Sequence, residues 1–168
     1  MHGIGLTLSF STGAGVAYRR QWGATALQLS GFAVVTERGN TTLLTGGALL
    51  TQRLHVWHGQ LRSVLPATTA LRVVGGLNYF LSRDVSTSQV GNGDSLNGVG
   101  CSAPGGCTAK VTSNISYFNG GAGLGFEFGA INRPGVSMTL DVVVTVVFKN
   151  GDFSLLVPLP QLAVLYNW

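Results

Sequence analysis

The sequence predicts an all-β fold in a single domain that covers residues 1–168. Apolar and polar residues alternate with period two in successive segments that end in turn-forming residues, the pattern of β-strands with one apolar face. The chain has 25 glycines and few strong helix formers, so long helices are disfavoured. No apolar run approaches the roughly 18 residues that a membrane-spanning helix requires.

Seven alternating segments follow one another along the chain. They cover residues 4–21, 24–36, 41–56, 69–83, 117–129, 136–148 and 153–168. In the first segment Ile4 and Leu6 share one face, whereas Thr7 and Ser9 share the other. Turn-forming residues separate several of the segments, at 37–40, 132–135 and 149–152.

Two stretches lack the alternation. Residues 57–68 contain Pro66 and are expected to be a connection between strands. From 84 to 116 the chain is rich in Ser, Gly and Asn, and we expect a long loop there, of the kind that is usually functional or disordered.

The segments number seven. If the strands close into a barrel of the kind that single bacterial chains form, their number should be even. We therefore expect eight. The eighth strand arises either from a split of the first segment near Ser11-Thr12-Gly13, from residues 54–65, or from residues that precede Met1.

The two faces of the segments predict where the apolar side chains point. Only 10% of residues are charged, against about 25% in typical domains, and the mean hydropathy is +0.34. A water-soluble sheet would carry many charges on its polar face, yet these polar faces carry mainly Gly, Ser, Thr, Asn and Gln. We therefore predict a transmembrane antiparallel up-and-down β-barrel of about eight strands, with large apolar side chains towards lipid and small polar ones towards the interior.

Aromatic residues concentrate near the ends of the segments, as in the interfacial girdles of membrane barrels. They are Tyr18, Trp22, Trp57, Tyr79, Phe80, Tyr117, Phe118, Phe128, Phe148, Phe153, Tyr166 and Trp168.

The last segment ends with apolar residues at alternate positions, Leu162, Val164, Tyr166 and Trp168. Residues 162–168 resemble the C-terminal strand of bacterial outer-membrane β-barrels, although that family ends more often in Phe. The resemblance implies outer-membrane lipid as the surroundings, recognition by the barrel-assembly machinery, and short periplasmic turns with longer external loops. A periplasmic C-terminus would place the 84–116 loop outside. No secretory signal begins at Met1, so if the protein is exported we expect the sequence to be the mature form or one in which another start replaced the leader.

Five charged residues are predicted to face the interior, namely Arg19, Arg53, Arg72, Glu127 and Asp141. A buried charge without a partner costs several kcal/mol, so the arginines should pair with the acids. Strand pairing suggests that Arg72 lies close to Glu127 and that Asp141 faces Gln161. We predict that this network closes the interior, which side chains just fill in an eight-stranded barrel. In the alternative, some arginines lie at the rims and reach water.

Cys101 and Cys107 flank a short Pro-Gly-Gly-containing stretch. In an oxidising compartment we expect a disulfide between them that shapes the tip of the loop, with two free thiols as the alternative. A ring this small adds roughly 2 kcal/mol at most.

The residues give little support for catalysis, metal binding or nucleic-acid binding. His2 lies at the start of the chain, and His55 and His58 have neither a matching Ser-acid arrangement nor the spacing of two metal ligands on one strand face. The arginines form no cluster with interleaved aromatic residues, despite the net charge of +4. We expect no enzymatic activity, no cofactor and no metal.

The predicted function is therefore structural or interactive, with the 84–116 loop facing a protein partner or a neighbouring subunit. Three alternatives stay open: a narrow pore or transporter for small or apolar solutes, a lipid-active outer-membrane enzyme, and a subunit of a membrane oligomer or array.

Overall fold

The computed structural model describes residues 1–9, 13–36, 41–61, 65–90, 95–96, 99–100, 107–131, 133–149 and 152–168. Its regular structure consists of β-strands, which confirms the all-β prediction. The strands are β1 (His2–Ser9), β2 (Gly15–Trp22), β3 (Thr25–Val35), β4 (Thr41–Leu61), β5 (Leu65–Val90), β6 (Ser95–Leu96), β7 (Val99–Gly100), β8 (Cys107–Gly129), β9 (Gly135–Lys149) and β10 (Asp152–Asn167). Within these ranges there is no helix long and apolar enough to cross a membrane.

Eight of the strands form a closed antiparallel ring in the order β1-β10-β9-β8-β5-β4-β3-β2, and the short strands β6 and β7 pair with each other. The eight-strand prediction is confirmed. The eighth strand comes from a split of the first segment, because β1 ends at Ser9 and β2 begins at Gly15. Gly13, between them, has a φ of 84°, a backbone conformation that favours glycine.

The strands extend further than the alternation predicted. Most of the expected 57–68 connection is strand, because β4 continues to Leu61 and β5 begins at Leu65. Pro66 pairs with Gln60 on β4, whereas the β5–β8 register begins only at Thr68. In the described register this part of β5 is therefore an edge, where the missing N–H of a proline is tolerated.

The expected 84–116 loop is also shorter than predicted. β5 and β8 stay paired from Asp84 opposite Ser113 to Val90 opposite Cys107. The apolar–polar alternation arises where one face of a strand is apolar, and it does not depend on hydrogen bonding between strands. Polar strand segments that extend beyond the ring therefore lack this alternation.

The two faces of the ring strands differ sharply in exposure. On β9, Val142 is 55% exposed, whereas its chain neighbours Asp141 and Val143 are fully buried. The same alternation holds on β10, where Leu162 and Val164 are exposed and Ala163 is buried. Large apolar side chains therefore cover the outside of the ring. Polar and small side chains fill most of the inside, together with a few apolar ones such as Leu49, Val74 and Leu165.

Candidate functional site

The charged residues predicted for the interior lie on the inner face of the ring, mostly along one register row. The row runs across six strands through Arg53, Arg72, Gly125, Asp141, Gln161 and Ser9, each opposite the next. The side chains of Arg72 and Asp141 are fully buried. The row places a continuous set of polar groups inside the ring.

Asp141 accepts hydrogen bonds from two neighbours in the row. Arg72 engages both carboxylate oxygens, with Nε 2.8 Å from Oδ1. The Nε2 of Gln161 donates to Oδ2 at 2.7 Å, and Gln161 Oε1 in turn accepts from Ser9 Oγ at 2.8 Å. These bonds link β5, β9, β10 and β1 through one carboxylate.

Glu127 on β8 forms the second centre of the network. Arg19 donates from Nη1 to Oε1 at 2.7 Å and from Nη2 to Oε2 at 3.1 Å, and Arg53 donates from Nε to Oε2 at 2.8 Å. A further bond joins Arg53 Nη2 to Gln21 Oε1 at 2.8 Å. Three strands separate β2 from β8 on either side of the ring, so the Arg19–Glu127 pair crosses the interior.

The observed pairing differs in part from the predicted one. The structure brings Asp141 and Gln161 together, but Arg72 contacts Asp141 instead of Glu127. The register explains the difference: Arg72 lies opposite Gly125, which has no side chain, so its guanidinium group reaches Asp141 on the next strand. The alternative placement of arginines at the rims is not observed for the network arginines, since Arg19, Arg53 and Arg72 are all buried.

The network has three guanidinium groups and two carboxylates, which leaves one net positive charge in the interior. Charges in the buried interior of the ring are tolerated because each is paired and hydrogen-bonded. Chemically, the arrangement can hold opposite sides of the ring together and obstruct passage through it.

Gly125 has a steric role in this network. A Cβ atom at Gly125 would overlap the carboxylate of Asp141. We expect Gly125→Ala to displace that carboxylate and to lower the free energy of unfolding by about 1–3 kcal/mol, measured by urea titration in detergent micelles. The matched control is Gly75→Ala on β5, because the nearest heavy atom to a Cβ there is 3.9 Å away. Equal effects of the two changes would contradict this role.

A cavity of about 310 Å³ lies next to the network, because Ser9, which bonds to Gln161, is one of its lining residues. Its lining includes Leu8, Phe32, Thr45, Asn78, Phe80 and Tyr117. Gly13, just before β2, lies inside the ring, since a Cβ there would lie 3.1 Å from Asn78 Oδ1. Sequence reasoning missed this cavity and placed Phe80 and Tyr117 in a girdle, because strand alternation does not show where space is left inside a ring.

The proposed C-terminal assembly signal lies on the outer face of β10. Leu162, Val164, Tyr166 and Trp168 are all exposed, and β10 pairs with β1 to close the ring. The backbone N–H and C=O of Trp168 both hydrogen-bond to His2. Recognition of this strand during assembly stays a prediction.

The remaining candidate residues are the two cysteines and the histidines. Cys101 lies outside the described residues and Cys107 begins β8, so the disulfide stays a prediction. His2 Nδ1 lies 2.6 Å from the Tyr18 hydroxyl, and the ring of His55 packs edge-on against Trp57. Over the part of the chain that the structure covers, no group of three or more His, Cys, Asp or Glu residues is placed to hold a metal ion.

No family model matches the chain, and comparisons with curated proteins and with solved structures found no match either. The function is therefore argued from the geometry of the ring and its interior.

Proposed function

We propose that this protein is an integral β-barrel of the bacterial outer membrane, closed to ions, with a structural or interaction role. One observation carries the proposal: every strand of the ring exposes at least one large apolar side chain on its outer face. These are Leu6, Val16, Leu29, Leu50, Leu77, Leu124, Val142 and Val164 on β1, β2, β3, β4, β5, β8, β9 and β10. Water-soluble monomers rarely expose apolar patches larger than a few hundred Å², so a belt around the whole ring favours hydrocarbon as its surroundings.

The interior supports a closed barrel over an open channel. Arg19 and Glu127 span the ring, and Arg53 joins them from a third strand. The interior of an eight-stranded barrel has room for side chains but little else, so this network leaves no continuous aqueous path. The ring then serves as a rigid anchor, and the β5–β8 pair, which extends beyond it, is the part that offers a surface to a partner or a neighbouring subunit.

Planar bilayer recordings test the closed interior. We expect no steady conductance from the purified wild-type protein. Removal of the pair that crosses the ring, in Arg19→Ser/Glu127→Ser, is expected to create a small conductance. That conductance should favour anions, because Arg53 and Arg72 outnumber the remaining carboxylate of Asp141. A steady wild-type conductance equal to that of the double variant would contradict the proposal.

Membrane fractionation tests the location. We expect the full-length protein in the outer-membrane fraction after a carbonate wash, which removes peripheral proteins. Recovery of a monodisperse protein in the soluble fraction without detergent would show that the apolar belt does not face lipid.

A further inference from the structure

One positive charge inside the ring has no carboxylate of its own, because three arginines share two acids there. The other acidic side chains that the structure describes, Asp84 and Asp152, are exposed, so neither enters the network. A guanidinium group stays protonated in proteins, and the network therefore cannot lose the charge by releasing a proton. Burial of an unbalanced charge is strongly unfavourable, which favours an additional negative charge in the interior.

The three arginines lie close together, and this concentrates the charge. Arg53 is directly opposite Arg72 in the β4–β5 register, a position in which like charges repel. Arg19 shares Glu127 with Arg53, and it is near enough to Arg72 for the two charges to interact. The unbalanced charge therefore belongs to one compact group of side chains.

Two of these arginines also have N–H groups to spare. Arg19 directs both terminal nitrogens to Glu127, and Arg72 directs Nε and Nη2 to Asp141. Within the described part of the chain, Arg19 Nε and Arg72 Nη1 are buried and have no hydrogen-bond partner. Buried donors normally have a partner. Two exceptions on the residues that carry the excess charge indicate a ligand that accepts hydrogen bonds.

We propose that the interior binds one small monovalent anion, such as chloride, which accepts hydrogen bonds from Arg19 Nε and Arg72 Nη1. A water molecule can accept the same bonds, but it leaves the net charge in place. A single-atom ion is favoured over sulfate or phosphate, because side chains nearly fill the interior of an eight-stranded barrel. The site requires only the interior network, so the inference does not depend on the proposed membrane insertion.

Unfolding at constant ionic strength tests for the anion. The purified protein in detergent micelles is unfolded with urea while sodium chloride replaces sodium gluconate, so that the screening of surface charges stays the same. An anion that binds only the folded chain lowers the unfolding equilibrium constant. A site with a dissociation constant of about 20 mM gives about a tenfold decrease at about 0.2 M chloride, and we expect a decrease of this size. An unfolding constant that does not change with chloride would overturn the inference.

Gln28→Glu tests whether the anion balances the interior charge. Gln28 is buried and lies directly opposite Arg19 in the β2–β3 register, so the new carboxylate supplies a negative charge beside the guanidinium group. We expect the response to chloride to shrink from about tenfold to less than about twofold. The matched control Gln52→Glu adds the same charge at an exposed position of β4 and should keep the full response. A full response in Gln28→Glu would overturn the inference, because the ion would then bind elsewhere.

Bromide locates the site directly. Crystals of the wild-type protein soaked in sodium bromide should give an anomalous peak inside the ring, within hydrogen-bond distance of Arg19 Nε and Arg72 Nη1. Peaks confined to the outer surface would overturn the inference and leave the proposed membrane barrel intact. Recovery of the protein in the soluble fraction without detergent would overturn the membrane barrel and leave the interior site unaffected.

Discussion

Glu127→Ala is expected to be the most damaging single change inside the ring, with a loss of about 3–5 kcal/mol in the free energy of unfolding. The reason is that Glu127 pairs with both Arg19 and Arg53. Its removal leaves two buried guanidinium groups without a carboxylate, and Asp141 is already engaged by Arg72. Urea titration in detergent micelles, followed by tryptophan fluorescence, measures the effect.

The matched control for Glu127→Ala is Thr139→Ala. Thr139 lies directly opposite Glu127 in the β8–β9 register and is equally buried, but its side chain carries no charge. We expect a loss of about 1 kcal/mol for this change. The rescue variant Arg19→Met/Arg53→Met/Glu127→Leu removes all three charges together and should be more stable than Glu127→Ala. If the single and triple variants were equally unstable, unpaired charge would not be the cause of the loss.

Val142→Arg is expected to produce the second large effect, because it places a charge at the middle residue of β9 on the outer face of the ring. In a bilayer a charged side chain facing lipid costs about 2–4 kcal/mol at the midplane. On a surface that faces water the same change would cost little. The comparison of unfolding free energies in phospholipid vesicles therefore measures whether the apolar belt is in contact with hydrocarbon.

Val136→Arg provides the depth control. Val136 is also on the outer face of β9, but it lies next to the strand end at Gly135. A cost of about 0–1 kcal/mol is expected there, because the side chain reaches the interface. Equal small costs at both positions would argue against insertion, whereas a gradient from Val136 to Val142 would support it.

The fold could be predicted from the sequence because the physical signal is repeated. Each ring strand alternates large apolar residues with small polar ones, as Leu140 and Val142 alternate with Thr139 and Asp141, and this pattern specifies both the strand and its outer face. The strand extents could not be predicted, since polar pairs such as Thr87 and Lys110 carry no burial signal.

The residues of the network could be predicted, but their pairing only in part. The network residues can be identified because a charged residue is conspicuous on a strand face that otherwise carries small residues. The pairing of Asp141 with Gln161 can be predicted because a short hairpin brings them together. The Arg72–Asp141 pair depends on the glycine between them, and the Arg19–Glu127 pair depends on the diameter of the ring. A local sequence pattern shows neither that this glycine lies between the two residues nor how wide the ring is. The cavity was missed for the same reason, because its lining comes from strands that lie far apart in the sequence.

The pairing of β5 with β8 continues past the ring and sets the distance between the ring and the far end of this pair. From Val85 opposite Thr112 to Val90 opposite Cys107, the ribbon rises by about 3.4 Å per residue, or about 17 Å in total. The head-group layer on each side of a bilayer is only about 5–8 Å thick. In the proposed membrane position, a molecule that docks at the far end would stand clear of the head-group layer, held at a set distance by hydrogen-bonded backbone instead of a floating tether.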